Sequence, residues 1–527
     1  MDADITCDVL LVGAGVGSMA AAIALKRRGL EPFIVEKTDR VGGATAYSGG
    51  IVWAPDNFRM RAKGIADSPE QALTYLDHVS GQRGDPAIAR AYVENVNRVV
   101  EDLQRATALR WVTYPGLPDY FSEFPGGVAA GRYLLPHGDL VRDALEKARS
   151  EHPEMAQIRP AVHLGARQDE WVWGRALAGS LWARILYDAI PYRLNHRATS
   201  FVTEGGRVVG AELGNDGRGV VVRSRLGVLL DTGGFEWDED MSRRYVPGPA
   251  LHPQTPPSNE GDGHRMAARL GAAFALMDQT IGMPSIRVAG EVNDGRQLYR
   301  ILFQEMALPH SLLVNAAGKR FANETFFVDV ASAWGVADDA GRFVNLPCFL
   351  VFDAEYLKRY GLPGGVDGSH MHRADTLPAL ASATGVDPQN LVASINAFNA
   401  EALAGRADSF GRGRTAYQRA FGDKDAIGNP TLGPVTRSPF YSVRIHPATS
   451  GHRGGVVIDP AGRVLDNAGR AISGLYACGT VAAGTLTGAA YFTGTAVGHA
   501  LVFGTLAAEA IATGWAERHM TPQPDAD

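Results

Sequence analysis

Cysteine is scarce in this chain, and the three that occur, Cys7, Cys348 and Cys478, are spaced too widely for a disulfide framework or a metal knuckle. Long hydrophobic runs are missing as well. No stretch approaches the roughly 18 uninterrupted apolar residues of a membrane-crossing helix. The first residues, MDADITCD, lack the basic start and apolar centre of a secretion signal. Positive charge is not in excess, and a net charge of -6 gives no reason to expect nucleic acid. These absences lead to the expectation of a cytoplasmic protein without a transmembrane segment, peripheral membrane association being left open. With 45% apolar and 20% charged residues over 527 positions, the composition is that of a globular protein long enough for two or three domains.

Glycine, in contrast, is plentiful and clustered. An apolar stretch from Val9 to Val12 reads as a buried strand and runs into Gly13-Ala14-Gly15. An Ala-rich helical segment carrying Val16, Gly17 and Ser18 follows, then a second apolar strand, Phe33 to Val35, ending in Glu36. This is the order of a βαβ dinucleotide-binding unit: glycines admit a pyrophosphate to the backbone at a helix N-terminus, and the acid meets ribose hydroxyls. Ser18 stands where a third glycine is usual. Lys37 and Thr38 adjoin the acid. The glycine-dense continuation Arg40 to Gly50, with Gly42, Gly43, Ala44, Thr45, Ser48, Gly49 and Gly50, has no use at a nicotinamide site. An extended FAD needs such a path of small residues toward its ring. The same stretch has no histidine, so the FAD is expected to be noncovalent.

Further along, Pro69 to Ala106 has helical periodicity, and Trp111 to Arg132 is an aromatic, Pro/Gly-rich loop suited to lining an apolar pocket. Leu194 to Leu230 alternates as a small meander, including Val202, with separate short strands expected at Gly219–Arg225 and Gly227–Asp231. It ends in Thr232-Gly233. Residues 283–436 read as a separate module. The chain then returns through Gly474 to Gly479-Thr480 and a Gly/Thr-rich segment with Tyr491, Thr493, Gly494, Ala496 and Val497.

The motifs VGGATAYSGG, PDYFSEFPGG, GKRFANE, FGRG, GHRGGVVIDPAGRVLD, GLYACGT and AAYFTGTAVG, in this order, resemble those of succinate dehydrogenase/fumarate reductase-like flavoproteins. Within that group the chain looks most like the 3-ketosteroid dehydrogenases. The resemblance implies an α/β fold, with a Rossmann-like FAD-binding domain at 1–282 and 437–527 and an inserted α+β catalytic cap at 283–436. It also implies desaturation of a carbon–carbon bond next to a ketone. The partners are then an apolar steroid or alicyclic ketone and an external electron acceptor, quinone-like or of another kind. Tyr491, with the N–H of Thr493 or Gly494, would hold the carbonyl oxygen, and Tyr120 matches the family's basic tyrosine.

Two departures matter. The segment Ala489–Gly498 has no cation to clamp a small dicarboxylate, which argues against the fumarate-reducing branch, although reduction of an enone or acrylate-type acid remains the alternative. Phe326 and Phe327 stand where the resemblance implies another tyrosine, so a phenol relay looks incomplete. Tyr114, Tyr299 and His446 are further candidates for the base. Glu324 reads as an internal ion-pair partner of Arg320, and His446 and His452 as positioning residues.

Overall fold

Apolar residues from three distant stretches meet in one parallel sheet. In the computed structural model, which describes residues 5–114, 116–160, 170–215, 218–293, 295–302, 304–365, 368–405 and 408–520, strand Ile5–Val12 lies between Pro32–Val35 and Arg218–Leu230. Ala471–Ala477 extends the sheet beyond Arg218–Leu230, and Tyr192–Arg193 extends it beyond Pro32–Val35, all in parallel. Arg463–Leu465 adds an antiparallel edge. Strands covered on both faces need continuous apolar runs, and Val9, Leu10 and Leu11 are fully buried. Helices Val16–Lys26, Trp173–Tyr187 and Thr495–Met520 pack on this sheet or on one another. Thr495–Gly514 is long and apolar enough to cross a membrane, with mean hydropathy 1.4, but 72% of its most apolar window is buried inside the protein. Its apolarity serves the core.

The meander comprises Arg197–Glu204, Arg207–Asn215 and the first half of Arg218–Leu230. That last strand is one element of 13 residues rather than the two expected. Gly227 sits extended within it, pairing with Val9, and makes no turn. Helices Pro69–Val79 and Pro86–Ala106 begin where Ser68 and Asp85 accept hydrogen bonds from the first free N–H groups, each followed by a proline that has none to offer.

A second sheet has the order Arg296–Ile301, Thr280–Asn293, Phe440–His452, Cys348–Asp353, Ser311–Asn315. His252–Pro253 and Met371–Ala374 also pair with Phe440–His452. This central strand lies past residue 436, so the sheet built by the expected cap segment depends on chain from outside it. The half Phe440–Ile445 pairs with Cys348–Asp353, and the half from His446 pairs with Thr280–Ser285. The strand thus leads from the second sheet straight to Arg453 and to Gly455, which pairs with Ala275 in a separate two-stranded sheet. Arg320 is bidentate to Glu324, at 2.9 and 2.8 Å, inside this part of the molecule. Burial opposes ionisation of Glu324, but Arg320 and Arg412 hold its pKa below the ordinary value.

Candidate active site

One continuous cavity of about 580 Å³ runs from the glycine turn of the first strand to the Gly/Thr segment before the last helix. Gly13 has φ +101°, and a Cβ there would strike the carbonyl oxygen of Asp231. A Cβ on Gly15 would strike the Asp231 carboxylate. The backbone therefore lies bare toward the cavity, at the N-terminus of a helix with no acid in its first turn. That is the cradle a dinucleotide pyrophosphate requires. Glu36 faces the same cavity, its two oxygens receiving the N–H of Ala14 and the N–H and hydroxyl of Thr38, each at 3.0 Å. Lys37 bridges Glu260 and Asp262 at 2.9 and 2.8 Å. Gly42, Gly43, Ala44, Thr45, Ser48, Gly49 and Gly50 continue the wall, with Thr232, Gly233, Gly479, Thr480, Ala496 and Val497 opposite. The residues present fit an extended FAD.

Four of the expected cofactor residues lie off the cavity wall. Gly17 and Ser18 are buried behind it, Ser18 giving its N–H to Asp231 at 2.7 Å. Thr38 acts through Glu36. Val202 lies four residues along its strand from Ala198, which does line the cavity. At about 3.3 Å per residue that is roughly 13 Å away.

At the other end Tyr491, Thr493, Gly494, Tyr120, Tyr114 and Phe327 converge. Gly494 is held by a hydrogen bond from the Trp53 N–H to its carbonyl at 3.2 Å, and its φ of +87° leaves no room for a Cβ. Trp53 also donates from its indole to Asp119 at 2.9 Å, and Arg132 donates to the other Asp119 oxygen at 2.8 Å. Arg132 in turn grips Asp67. This buried network fixes the aromatic loop at the residue before Tyr120. Phe492, between the two site residues Tyr491 and Thr493, packs on Trp53 and Tyr75 at 5.3 and 5.6 Å. Tyr120 and Tyr491 are therefore set by one aromatic core.

The electrostatics separate their roles. Burial raises the Tyr491 pKa, against smaller opposing effects of the Thr493 hydroxyl and of Arg453, so the phenol remains a donor at neutral pH. Burial also raises Tyr120, and the nearby Tyr491 adds to it; Tyr417 and both the hydroxyl and N–H of Thr493 act in the opposite direction. Thr493 therefore lies against Tyr120, and Gly494 follows it on the cavity wall.

Tyr299 and His446, considered as bases, lie elsewhere. They form a ring cluster with His252 in the second sheet and do not line the cavity, because their strands pair there in adjacent register. Burial and Arg444 push His446 down to about 4. His452 is buried against Phe235 and Ser242. Sequence reading missed three groups: Asp231 under the glycine turn, Arg453 beside Tyr491, and Tyr417 beside Tyr120. Arg453 is a buried cation donating to Gly484 O and Thr487 Oγ1 at 3.1 and 2.6 Å. It comes from the GHRGG motif, not from the segment searched for a cation.

Residues 8–497 match the protein family described as FAD binding domain. The chain belongs to that family. It is an FAD-dependent oxidoreductase acting on CH–CH groups. This flavoprotein is 32% identical to a 4-oxocyclohexanecarboxylate 2-dehydrogenase of Sinomonas cyclohexanicum, covering 96% of this chain and 93% of the relative. It is 33% identical to a 3-oxosteroid 1-dehydrogenase of Mycobacterium tuberculosis, over 96% and 98% of the two chains. Among solved structures it resembles the 3-ketosteroid delta1-dehydrogenase from Sterolibacterium denitrificans in complex with 1,4-androstadiene-3,17-dione. The TM-score there is 0.85 at 31% identity, covering 97% of this chain and 100% of the other.

Proposed function

We propose that this flavoprotein introduces a carbon–carbon double bond next to a ketone, in a steroid-like or alicyclic substrate. One observation carries the reading: Tyr491, Tyr120 and the Gly494 N–H gather at one end of a cavity whose other end is the glycine cradle. Relatives named for oxosteroid and oxocyclohexanecarboxylate dehydrogenation support the ketone. Gly13, Gly15, Gly42, Gly43 and Thr232 would hold the FAD, which when bound would supply the acceptor for the β-hydrogen as hydride. The chain itself performs the other half. Tyr491 and the Gly494 N–H hold the carbonyl oxygen, where negative charge develops as the α-proton leaves, and such fixed donors are usually the largest catalytic effect. Tyr120 removes that proton. An external acceptor, quinone-like or other, must then reoxidise the cofactor.

Anaerobic mixing with cyclohexanone, 4-oxocyclohexanecarboxylate and 4-androstene-3,17-dione tests this. At least one saturated position next to a ketone should bleach the yellow flavin and yield the unsaturated ketone. If none does, while reduced enzyme is reoxidised by enones or acrylates, the enzyme is an ene-reductase.

A further inference from the structure

We propose that Tyr417 donates a hydrogen bond to Tyr120 and thereby holds it as the acceptor of the substrate α-proton, resting on the ketone-desaturating reading above. Tyr417 is a positioning residue from a short helix, Ala416–Ala420, and is 1% exposed. Its ring lies 4.1 Å from that of Tyr120, centroid to centroid. The other near aromatics are Phe326 at 5.7 Å and Phe421 at 5.1 Å. The FGRG motif places it. Arg412, fully buried, donates to the carbonyls of Thr431, Ser311 and Leu308, and the next turn is tied by Arg414 N–H to Gln418 at 3.0 Å. A second phenol thus reaches Tyr120 from a segment about 90 residues after Phe326 and Phe327.

The chemistry needs it. When the α-C–H bond breaks, its proton passes to the Tyr120 oxygen and its electron pair moves into the C–C–O framework. Tyr120 must carry negative charge beforehand, and a buried phenolate is costly. The groups acting on Tyr120 are the Tyr491 phenol, Tyr417 and Thr493; those acting on Tyr417 are Tyr120, Tyr491 and Tyr114, and Tyr133 faces both phenols. Tyr120 apart, these groups are uncharged: tyrosine hydroxyls and the hydroxyl and N–H of Thr493. Relief for the Tyr120 charge comes from hydroxyl and N–H donors, of which Tyr417 is the strongest acting on it.

The test uses holoenzyme with whichever of the three ketones bleaches it fastest. The rate of anaerobic bleaching is followed against pH for wild type and Tyr417→Phe, which keeps the ring and loses only the hydroxyl. The variant should keep its FAD and its affinity for the ketone. Its rate at neutral pH should fall about 10- to 100-fold, the range of a hydrogen bond to a charged group, and the rising limb should move to higher pH. An equal loss at every pH, with the limb unmoved, overturns the assignment. Should Tyr417→Phe fail to retain FAD, Phe327→Tyr gives the same readout, since an added phenol beside Tyr120 should move the limb to lower pH, and an unmoved limb again overturns it. A wild type that no ketone bleaches rejects the ketone reading itself.

Discussion

The carboxylate of Asp231 accepts the Ser18 N–H at 2.7 Å, so a buried acid forms the floor beneath the glycine turn. Burial, with Glu36 nearby, pushes its pKa up to about 7, against the opposing Ser18 N–H. A raised acid pKa favours the folded state fully below the unfolded value near 4, and the benefit is lost as pH rises to 7. Asp231→Asn cannot ionise. Relative to wild type the variant should therefore gain stability between pH 5 and 8, by on the order of 4 kcal/mol at most for about three units. Thermal unfolding of both proteins across that range measures it, and parallel curves would remove the ionisation cost from Asp231.

Gly13 offers a second test. Its φ of +101° and the Asp231 carbonyl behind it forbid a side chain. Gly13→Ala should push the turn into the cavity and weaken FAD binding at least tenfold, with the chain still folded. The ratio of flavin to protein absorbance after gel filtration reports this directly.

Much of this site was legible because its signals are local. The strand–glycine–helix–strand order of residues 9–36 and the glycine run to Gly50 encode their own geometry, and Tyr491 sits in a segment whose small residues already mark a close approach. What was not legible depends on long-range packing. Tyr417 and Tyr120 are nearly 300 residues apart in sequence and meet only through the buried Arg412 anchor. Arg453 reaches Tyr491 because it directly follows Phe440–His452, whose end is fixed by pairing with Thr280–Ser285. Tyr299 and His446 looked equally reactive as residue types, yet strand register sends them to another cluster. Val202 shares its strand with Ala198, and of the two only Ala198 lines the cavity.

The absence of histidine from Ala44 to Gly50 bears on how FAD is held. His196 lines the cavity, but its backbone N–H bonds to the Glu36 carbonyl, at the ribose end and away from that stretch. Cys478 is buried, which raises its thiol well above the usual range and leaves it a poor nucleophile. Acid precipitation should therefore release all of the yellow cofactor into the supernatant. Colour retained in the washed pellet would mean a covalent bond.

Asp119 joins Trp53 to Arg132, and both contacts bear on where Tyr120 stands. In Asp119→Asn one oxygen can still accept from Trp53, but the charge facing Arg132 is gone. Arg132 keeps Asp67, so the fold should survive with a loss of about 1–3 kcal/mol, the cost of weakening one buried charged hydrogen bond. The larger effect should be on chemistry, since a shift of about 1 Å in a reacting group can cost around a hundredfold. Ketone binding and flavin content should stay close to wild type while the bleaching rate falls. An undiminished rate in a destabilised variant would show that the network supports the fold without setting the position of Tyr120.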